Sequence, residues 1–279
     1  MFLGRTCHVS LSTEKRREWI LEQLAARGHV GVRDLADGMS VSEATIRRDL
    51  RRLADSKLAD LVYGGATIPR DNDHSIQYRT ARQAEAKRVI GKLAAELVTD
   101  GEMLYVDSGT TCYEMKAHLL KKRALTVIVN STRLAVELGG GPDLSLIMIG
   151  GHYRPERMDA VGPLAANAID QLRGYLAFIG ADGLSVDFGV SANEIQTAYL
   201  YQHVIKNARE TILLADHTKF ASPSLFRIAD LDQVSRVVTD RRPDDRWVDA
   251  LSARGIDLIY PEQPADAQSE APCKSGLTE

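Results

Sequence analysis

"VSEATIRRDLRRLA", residues 41–54, places four arginines within the six positions 47–52, with apolar residues between them. Ile46, Leu50 and Leu53 recur at intervals of four and three, the spacing of one helical face. At about 100° per residue, Ala44, Arg47, Arg48 and Arg51 fall on the opposite side, with Thr45 and Arg52 at its edges. An exposed helical face ordinarily mixes its signs. Here the acidic Glu43 and Asp49 lie nearer the apolar seam, and the outward face is left basic. Such a face calls for a polyanionic partner.

The flanking sequence supplies a frame for it. Ser12 or Thr13 can cap a helix running to Arg27, with Trp19, Ile20 and Leu24 inward and Gly28 as the stop. "VRDLADGM" predicts a short second helix burying Val32, Leu35 and Ala36, after which Gly38 opens a tight turn. Ser42 then caps the arginine helix, its hydroxyl accepting the Thr45 N–H. Two helices joined by a short turn make a helix-turn-helix. "LADLVYGGATI" alternates apolar and polar residues around Gly64 and Gly65, as a β-wing does. Helix-turn-helix units lay the second helix in the DNA major groove, with its early residues at the base edges. The candidate contacts to double-stranded operator DNA are therefore Ser42, Glu43, Ala44, Thr45, Arg47, Arg48, Arg51 and Arg52.

At 279 residues, 44% hydrophobic and 26% charged, the chain has the composition of a soluble protein with room for two unequal domains. Residues 1–70 carry 12 Lys and Arg against 9 Asp and Glu, a net +3, and the remainder carries 23 against 29, a net −6. A small basic domain joined to a larger acidic one fits that sign change. Cys7, Cys112 and Cys273 are odd in number and widely spaced, which argues against a disulfide framework and for a reducing compartment. The seven histidines show no ligand spacing, so no metal site is expected. No secretory signal or membrane-length apolar run is read, and the expected location is cytoplasmic.

Four segments are predicted: a winged helix-turn-helix over 13–68, a polar linker over 69–83, an α/β domain over 84–262 and a disordered tail over 263–279. The α/β domain opens with a helix near Ala84 that turns Val89, Ile90, Leu93, Ala94 and Leu97 to one side. Short apolar runs follow, among them "MLYVD", "LTVIVN", "LSLIMIG", "LAFIG", "TILLAD" and "RVVTD". Continuous apolar strands alternating with helices indicate a mostly parallel sheet covered on both faces.

Several of these runs end on a polar residue or glycine: Asp107, Asn130, Gly150, Gly180, Asp216 and Asp240. Ligands of open α/β sheets bind beyond the carboxyl ends of the strands. "DSGTTCYEM" is the most informative such end, with one glycine and the hydroxyls of Ser108, Thr110 and Thr111 opening a helix. Backbone N–H groups and hydroxyls in that setting suit an anion, although an ordinary capped turn would show the same residues. No Walker A motif or dinucleotide fingerprint occurs, and no cofactor is expected.

Residues 42–50 and the Gly64, Gly65, Ala66 run closely resemble the DNA-binding domain of the DeoR family of bacterial transcriptional regulators. Two positions depart from the family pattern: Lys57 stands where a glycine is usual, and Tyr63 where a histidine is usual. "DGEMLYVDSGTT", "IVNSTRLA", "IMIGG", "VGPLAANAI", "FIGADGL" and "ILLADHTKF" resemble the family's sensor domain in order. The resemblance implies a sensor like ribose-5-phosphate isomerase that binds a phosphorylated sugar or related metabolite. By motif, Ser108, Gly109, Thr110 and Thr111, beside Asp107, would cradle phosphate. Asn130, Gly150, Gly151, Gly180 and Asp182 would line the polyol part, and Asp216 and Lys219 would close the pocket.

The leading expectation is a repressor of carbohydrate catabolism genes, not an enzyme, controlled by that effector and paired as a homodimer or homotetramer. The alternative is a sugar-phosphate isomerase carrying a DNA-binding domain. Isomerisation needs a base and a cation or acid to steady the enediolate. The isomerases place a lysine in the glycine-rich loop that here reads "GADGLSVDFGVSANEIQ", yet no lysine lies between Lys122 and Lys206. A third reading, a constitutive DNA-binding protein with an inert second domain, leaves the hydroxyl-rich loop without a use.

Overall fold

A computed structural model describes residues 12–56, 58–67 and 76–262. The expected tail, Lys57, Cys7, Cys273 and the first part of the expected linker lie outside the described residues.

Local signals set the first elements. Ser12 accepts the Lys15 N–H at 3.3 Å and begins α1, Thr13–Arg27. Gly28 stops it at φ 72°, a left-handed angle that favours glycine. A short strand β1, His29–Gly31, leads into α2, Val32–Met39, and Ser42 caps α3, Glu43–Asp55, through the Thr45 N–H. The tight turn expected at Gly38 comes later. Gly38 sits within α2 against the Trp19 ring, and Ser40 takes the left-handed angle, φ 53°. The wing is β2, Asp60–Val62, with β3, Gly65–Thr67, and β3 also pairs with β1. Ile20, Leu24, Leu35, Ile46, Leu50 and Leu53 close this small core.

Helix α4, Ile76–Ala81, occupies part of the stretch read from sequence as polar linker. Its Ile76 and Tyr78 are buried, Tyr78 among the core residues of the helix-turn-helix. Arg79 and Thr80 beside them bond protein groups, Arg79 the Asp182 carboxylate and Thr80 the Ile76 carbonyl, and polarity alone did not mean solvent.

Helix α5, Ala84–Glu96, opens the larger domain. There follow β4 (Met103–Val106), α6 (Thr110–Tyr113), α7 (Lys116–Leu119), β5 (Leu125–Val129), α8 (Thr132–Leu138), β6 (Leu144–Met148), β7 (His152–Arg154), β8 (Asp159–Val161) and α9 (Pro163–Ile169). The chain continues through β9 (Leu176–Gly180), β10 (Gly183–Ser185), β11 (Gly189–Ala192), α10 (Ile195–Asn207), β12 (Glu210–Leu214), β13 (Phe226–Ala229), β14 (Arg236–Val238), α11 (Asp245–Ser252) and β15 (Asp257–Ile259). Seven strands form a parallel sheet in the order β15-β14-β12-β9-β4-β5-β6. Alternate strand residues feed two cores: Leu176 and Phe178 point to one, Ala177 and Ile179 to the other. The antiparallel pieces β7–β8 and β10–β11–β13 stand apart from this sheet.

From β4 the chain builds β5 and β6 on one side, then returns to place β9 on the other. That reversal leaves a crevice at the carboxyl ends of β4 and β9. Among the described residues no helix is long and apolar enough to cross a membrane.

Candidate functional site

Two sites emerge, and the first is the exposed face of α3. Ser42, Glu43, Ala44, Arg47, Arg48, Arg51 and Arg52 are exposed, and Thr45 is half-buried beside the Ser42 hydroxyl. Arg47 pairs with Glu43 at 2.8 Å in solvent, a contact worth little and easily exchanged for a phosphate. Asp49 serves another purpose. It is buried and accepts Arg16 Nε at 2.6 Å and Arg17 Nε at 3.1 Å, which ties α3 to α1 and withdraws its negative charge from the basic face. Tyr63 stands fully exposed at the wing tip.

The second site is a cavity of about 310 Å³ in the crevice at β4 and β9. Asp107, Ser108, Gly109, Thr110, Thr111, Gly180, Asp182, Asp216 and Lys219 all line it. Asp107 ends β4 with its carboxylate taken up by the Gly109 N–H (2.8 Å), the Gly180 N–H (2.7 Å) and the Tyr201 hydroxyl. A side chain on Gly109 would press within 2.8 Å of that carboxylate and force it to shift from its partners. Burial pushes the Asp107 carboxyl above its usual range, against the pull of the two N–H donors. Asp107 thus stitches the loop, β9 and α10 together at the cavity floor.

Ser108 donates to Asp159 at 2.8 Å, and Asp159 accepts two bonds from Arg154. Asp182 also lines the cavity, and its carboxylate accepts Arg79 Nη2 at 3.0 Å and the Asn193 N–H at 2.9 Å. Burial opposes its ionisation, but Arg79, that amide, Lys219 and Arg157 prevail and hold it below the usual range. Asp216 caps the turn His217–Phe220 through Thr218.

Asn130, Gly150 and Gly151 are not among the cavity's lining residues. Asn130 is buried, accepting the Tyr105 hydroxyl at 3.1 Å and donating to the Ala160 carbonyl at 3.0 Å, which fastens β5 to β8. Gly150 and Gly151 follow β6, the outermost strand on its side, two positions from β4. Ending a strand was not enough to place them; the strand also has to border the crevice.

Sequence reasoning missed most of the positive charge. Arg79, Arg82, Lys87 and Arg157 line the cavity together with Lys219. Lys87 had a readable signal, since it falls on the buried face of α5 with Ile90, Gly91 and Ala94. Its ammonium donates to the carbonyls of Arg79 and Arg82, and burial pulls it down to about 7, with Asp216 opposing. Lys219 is likewise lowered by burial, partly offset by Asp216 and Asp182. Arg157, between β7 and β8, carried no pattern to betray it. Burial lowers it too, and neighbouring Arg79 adds to the shift. Among the described residues no group of His, Cys, Asp and Glu could hold a metal ion.

A model of the DeoR-like helix-turn-helix domain matches residues 16–72, and one of the DeoR C terminal sensor domain matches 82–241. The chain is 34% identical over 247 residues to the HTH-type transcriptional regulator YgbI of Escherichia coli (strain K12), covering 88% of this chain and 96% of that protein. It is 29% identical over 245 residues to the glycerol-3-phosphate regulon repressor of the same strain, covering 88% of this chain and 97% of that one. Among solved structures, ribose 5 phosphate isomerase A from Neisseria gonorrhoeae aligns with 50% of this chain and 55% of its own, at 16% identity and a TM-score of 0.38. That likeness is too distant to bear on reaction or ligand.

Proposed function

The chain belongs to the DeoR family of transcriptional regulators, and we propose that it is a repressor whose grip on operator DNA is set by a phosphorylated sugar or sugar-derived metabolite. One observation carries the effector reading: five basic side chains, from Arg79, Arg82, Lys87, Arg157 and Lys219, converge on one cavity that also presents four carboxylates and several hydroxyls. Cations suit a phosphate, while Asp107, Asp159 and Asp182 suit the hydroxyls of a polyol. In this reading Thr110 and Thr111 contribute hydroxyl donors to the phosphate while Ser108 stays on Asp159, Lys219 contributes charge, and the exposed face of α3 meets the major groove. The relative that governs a glycerol-3-phosphate regulon supports a small phosphorylated ligand.

The isomerase alternative is weaker. The β10–β11 loop brings no lysine into the cavity, and the two lysines there arrive from α5 and from the turn after β12. Incubation with ribose 5-phosphate should give no turnover above buffer, and turnover abolished by Lys219→Ala would reverse the ranking. Paired half-sites on DNA would call for a dimer or tetramer. Such a regulator would act in the cytoplasm, beside its DNA.

Thermal unfolding tests the effector reading. Phosphorylated sugars should raise the melting temperature, by the equivalent of about 2.7 kcal/mol at a hundredfold excess over Kd. Their unphosphorylated counterparts, at matched ionic strength, should not. Equal shifts from both would remove the phosphate from the proposal.

A further inference from the structure

Residues 73–81 lie between the two matched family spans, 16–72 and 82–241, and α4 occupies most of that gap. Adjacent residues of this helix point into different domains. Tyr78 is 1% exposed within the helix-turn-helix core, whereas Arg79 lines the cavity and pairs with Asp182. Successive side chains on a helix stand about 100° apart, so one rigid turn holds both contacts at once.

A second observation points to an anion at this spot. Arg157 is 7% exposed and lines the cavity, yet its Nε and Nη2 have no hydrogen-bond partner. Its ion contact with Glu194, at 2.8 Å, lacks the direction of a hydrogen bond. A buried guanidinium left with unused donors is costly unless something satisfies them. A phosphate shared between Arg157 and Arg79 would do so through charge-assisted bonds, in the forked geometry that guanidinium favours.

The route from α4 to the recognition helix is continuous. Lys87 grips the carbonyls of Arg79 and Arg82 at the end of α4. The chain then reverses through Gln83, a non-glycine residue in the left-handed region at φ 51°. Strained joints of this kind persist only where their surroundings hold them. Here the holders are on α1: Gln83 donates to Glu22 at 2.6 Å, and the Ala84 N–H donates to Glu18 at 2.5 Å. The same α1 carries Arg16 and Arg17, which clasp Asp49 of α3.

We propose that α4 is the transmitting element of this regulator: an effector phosphate held by Arg157 draws Arg79 away from Asp182, and the displaced helix shifts α1 and α3. The proposal rests on the effector reading of the cavity and adds to it a mechanism of response. It separates two roles. Arg157 supplies affinity for the anion, and Arg79 converts occupancy into a change in DNA binding. Coupling of this sort requires that the ligand interact differently with two arrangements of one element, and the exchange of Arg79 between Asp182 and phosphate provides that difference.

The test uses the full-length protein, a DNA duplex selected by it in phosphate-free buffer, and inorganic phosphate as the probe. Calorimetry reads phosphate binding, and fluorescence anisotropy at matched ionic strength reads the DNA Kd with and without phosphate. In the wild type, saturating phosphate should change the DNA Kd at least fivefold. Arg157→Gln should lower phosphate affinity at least tenfold while keeping the full change in DNA Kd at saturation. Arg79→Gln should still bind phosphate, more weakly, but its DNA Kd should change less than twofold. Asp182→Asn, which frees Arg79 without removing it, should show the phosphate-bound DNA Kd before any phosphate is added, and it decides the matter if Arg79→Gln does not fold. A wild-type response in Arg79→Gln, or an unaltered phosphate-free Kd with a full response in Asp182→Asn, would overturn the proposal. Phosphate binding to the wild type without any change in DNA Kd would also overturn it and leave the cavity's reading intact. No phosphate binding at all would take the effector reading down with it.

Discussion

The face of α3 and the cavity at β4 and β9 both present positive charge, and they are built in opposite ways. On α3 the arginines come from one helix, at consecutive turns, and stay in water. Around the cavity the cations come from four separate segments, are largely desolvated, and include two lysines shifted downward by burial. Solvated charge is cheap, long-ranged and screened by salt, which suits a polyanion met along its length. Desolvated charge is costly until a ligand of the right shape completes it, which suits one small anion. The difference in construction is a difference in what each site has to tell apart.

The largest effect is expected where the DNA-binding half departs from its solvated pattern. Asp49→Ala removes the buried carboxylate that Arg16 and Arg17 share and should destabilise that domain by about 3 kcal/mol, the low end of what breaking a buried pair costs because both arginines are half-buried. Urea denaturation followed by Trp19 fluorescence would read it. A loss under 1 kcal/mol would return Asp49 to the surface pattern.

Next comes the loop at the cavity. Replacing both Thr110 and Thr111 by valine keeps their shape but removes two hydroxyl donors. Effector affinity should fall by about 2–3 kcal/mol, roughly 30- to 150-fold, given the worth of hydrogen bonds to an anion. Calorimetry with an effector found by thermal screening would show it, and undiminished affinity would place the phosphate elsewhere in the cavity.

On α3, Arg48→Ala should weaken specific DNA binding by about 1–3 kcal/mol, the value of a bidentate base contact. Arg51→Ala and Arg52→Ala, further along the helix, should weaken all sequences alike and flatten the salt dependence. Gel shifts on selected and scrambled duplexes at two salt concentrations separate the two behaviours. Equal losses on both duplexes for Arg48→Ala would make it another phosphate contact.

The smallest effect is a pH dependence confined to the cavity. Lys87, facing Asp216, Lys219, Arg79 and Arg82, sits at about 7 in the folded protein against an ordinary 10.5. An anion nearby raises it, so effector binding at pH 8 should take up a proton. Affinity should then fall by at most about tenfold per unit as pH rises past 7. The same shift makes the unfolded chain the better proton binder between about 7 and 10.5, so this group's contribution to stability rises with pH across that window. Calorimetry in buffers of different ionisation enthalpy counts the proton. Loss of the uptake in Lys87→Met would assign it to this residue.

The contrast between the sites also explains what could be read in the chain beforehand. A helix face is periodic, so Ile46, Leu50 and Leu53 revealed the buried side and the arginines the other. The parallel sheet was legible too, because its strands are short runs dominated by apolar residues. The cavity has no period. Its loop stood out through glycine and hydroxyl content, and Lys87 broke the apolar stripe of α5, but Arg79 and Arg157 occupy irregular or polar stretches that only the tertiary fold brings together. Asn130 and Gly150 mark the converse failure: both sit at strand ends, yet neighbouring elements claim the first and the sheet order carries the second away from the crevice.

Regulation requires that these two differently built sites be coupled. That coupling is read by the anisotropy of a selected duplex titrated with wild-type protein, with and without the phosphorylated sugar that most stabilises the fold. The phosphorylated sugar should change the DNA Kd at least tenfold, and the unphosphorylated sugar should not. The same Kd under all three conditions, with calorimetry showing the ligand bound, would contradict it.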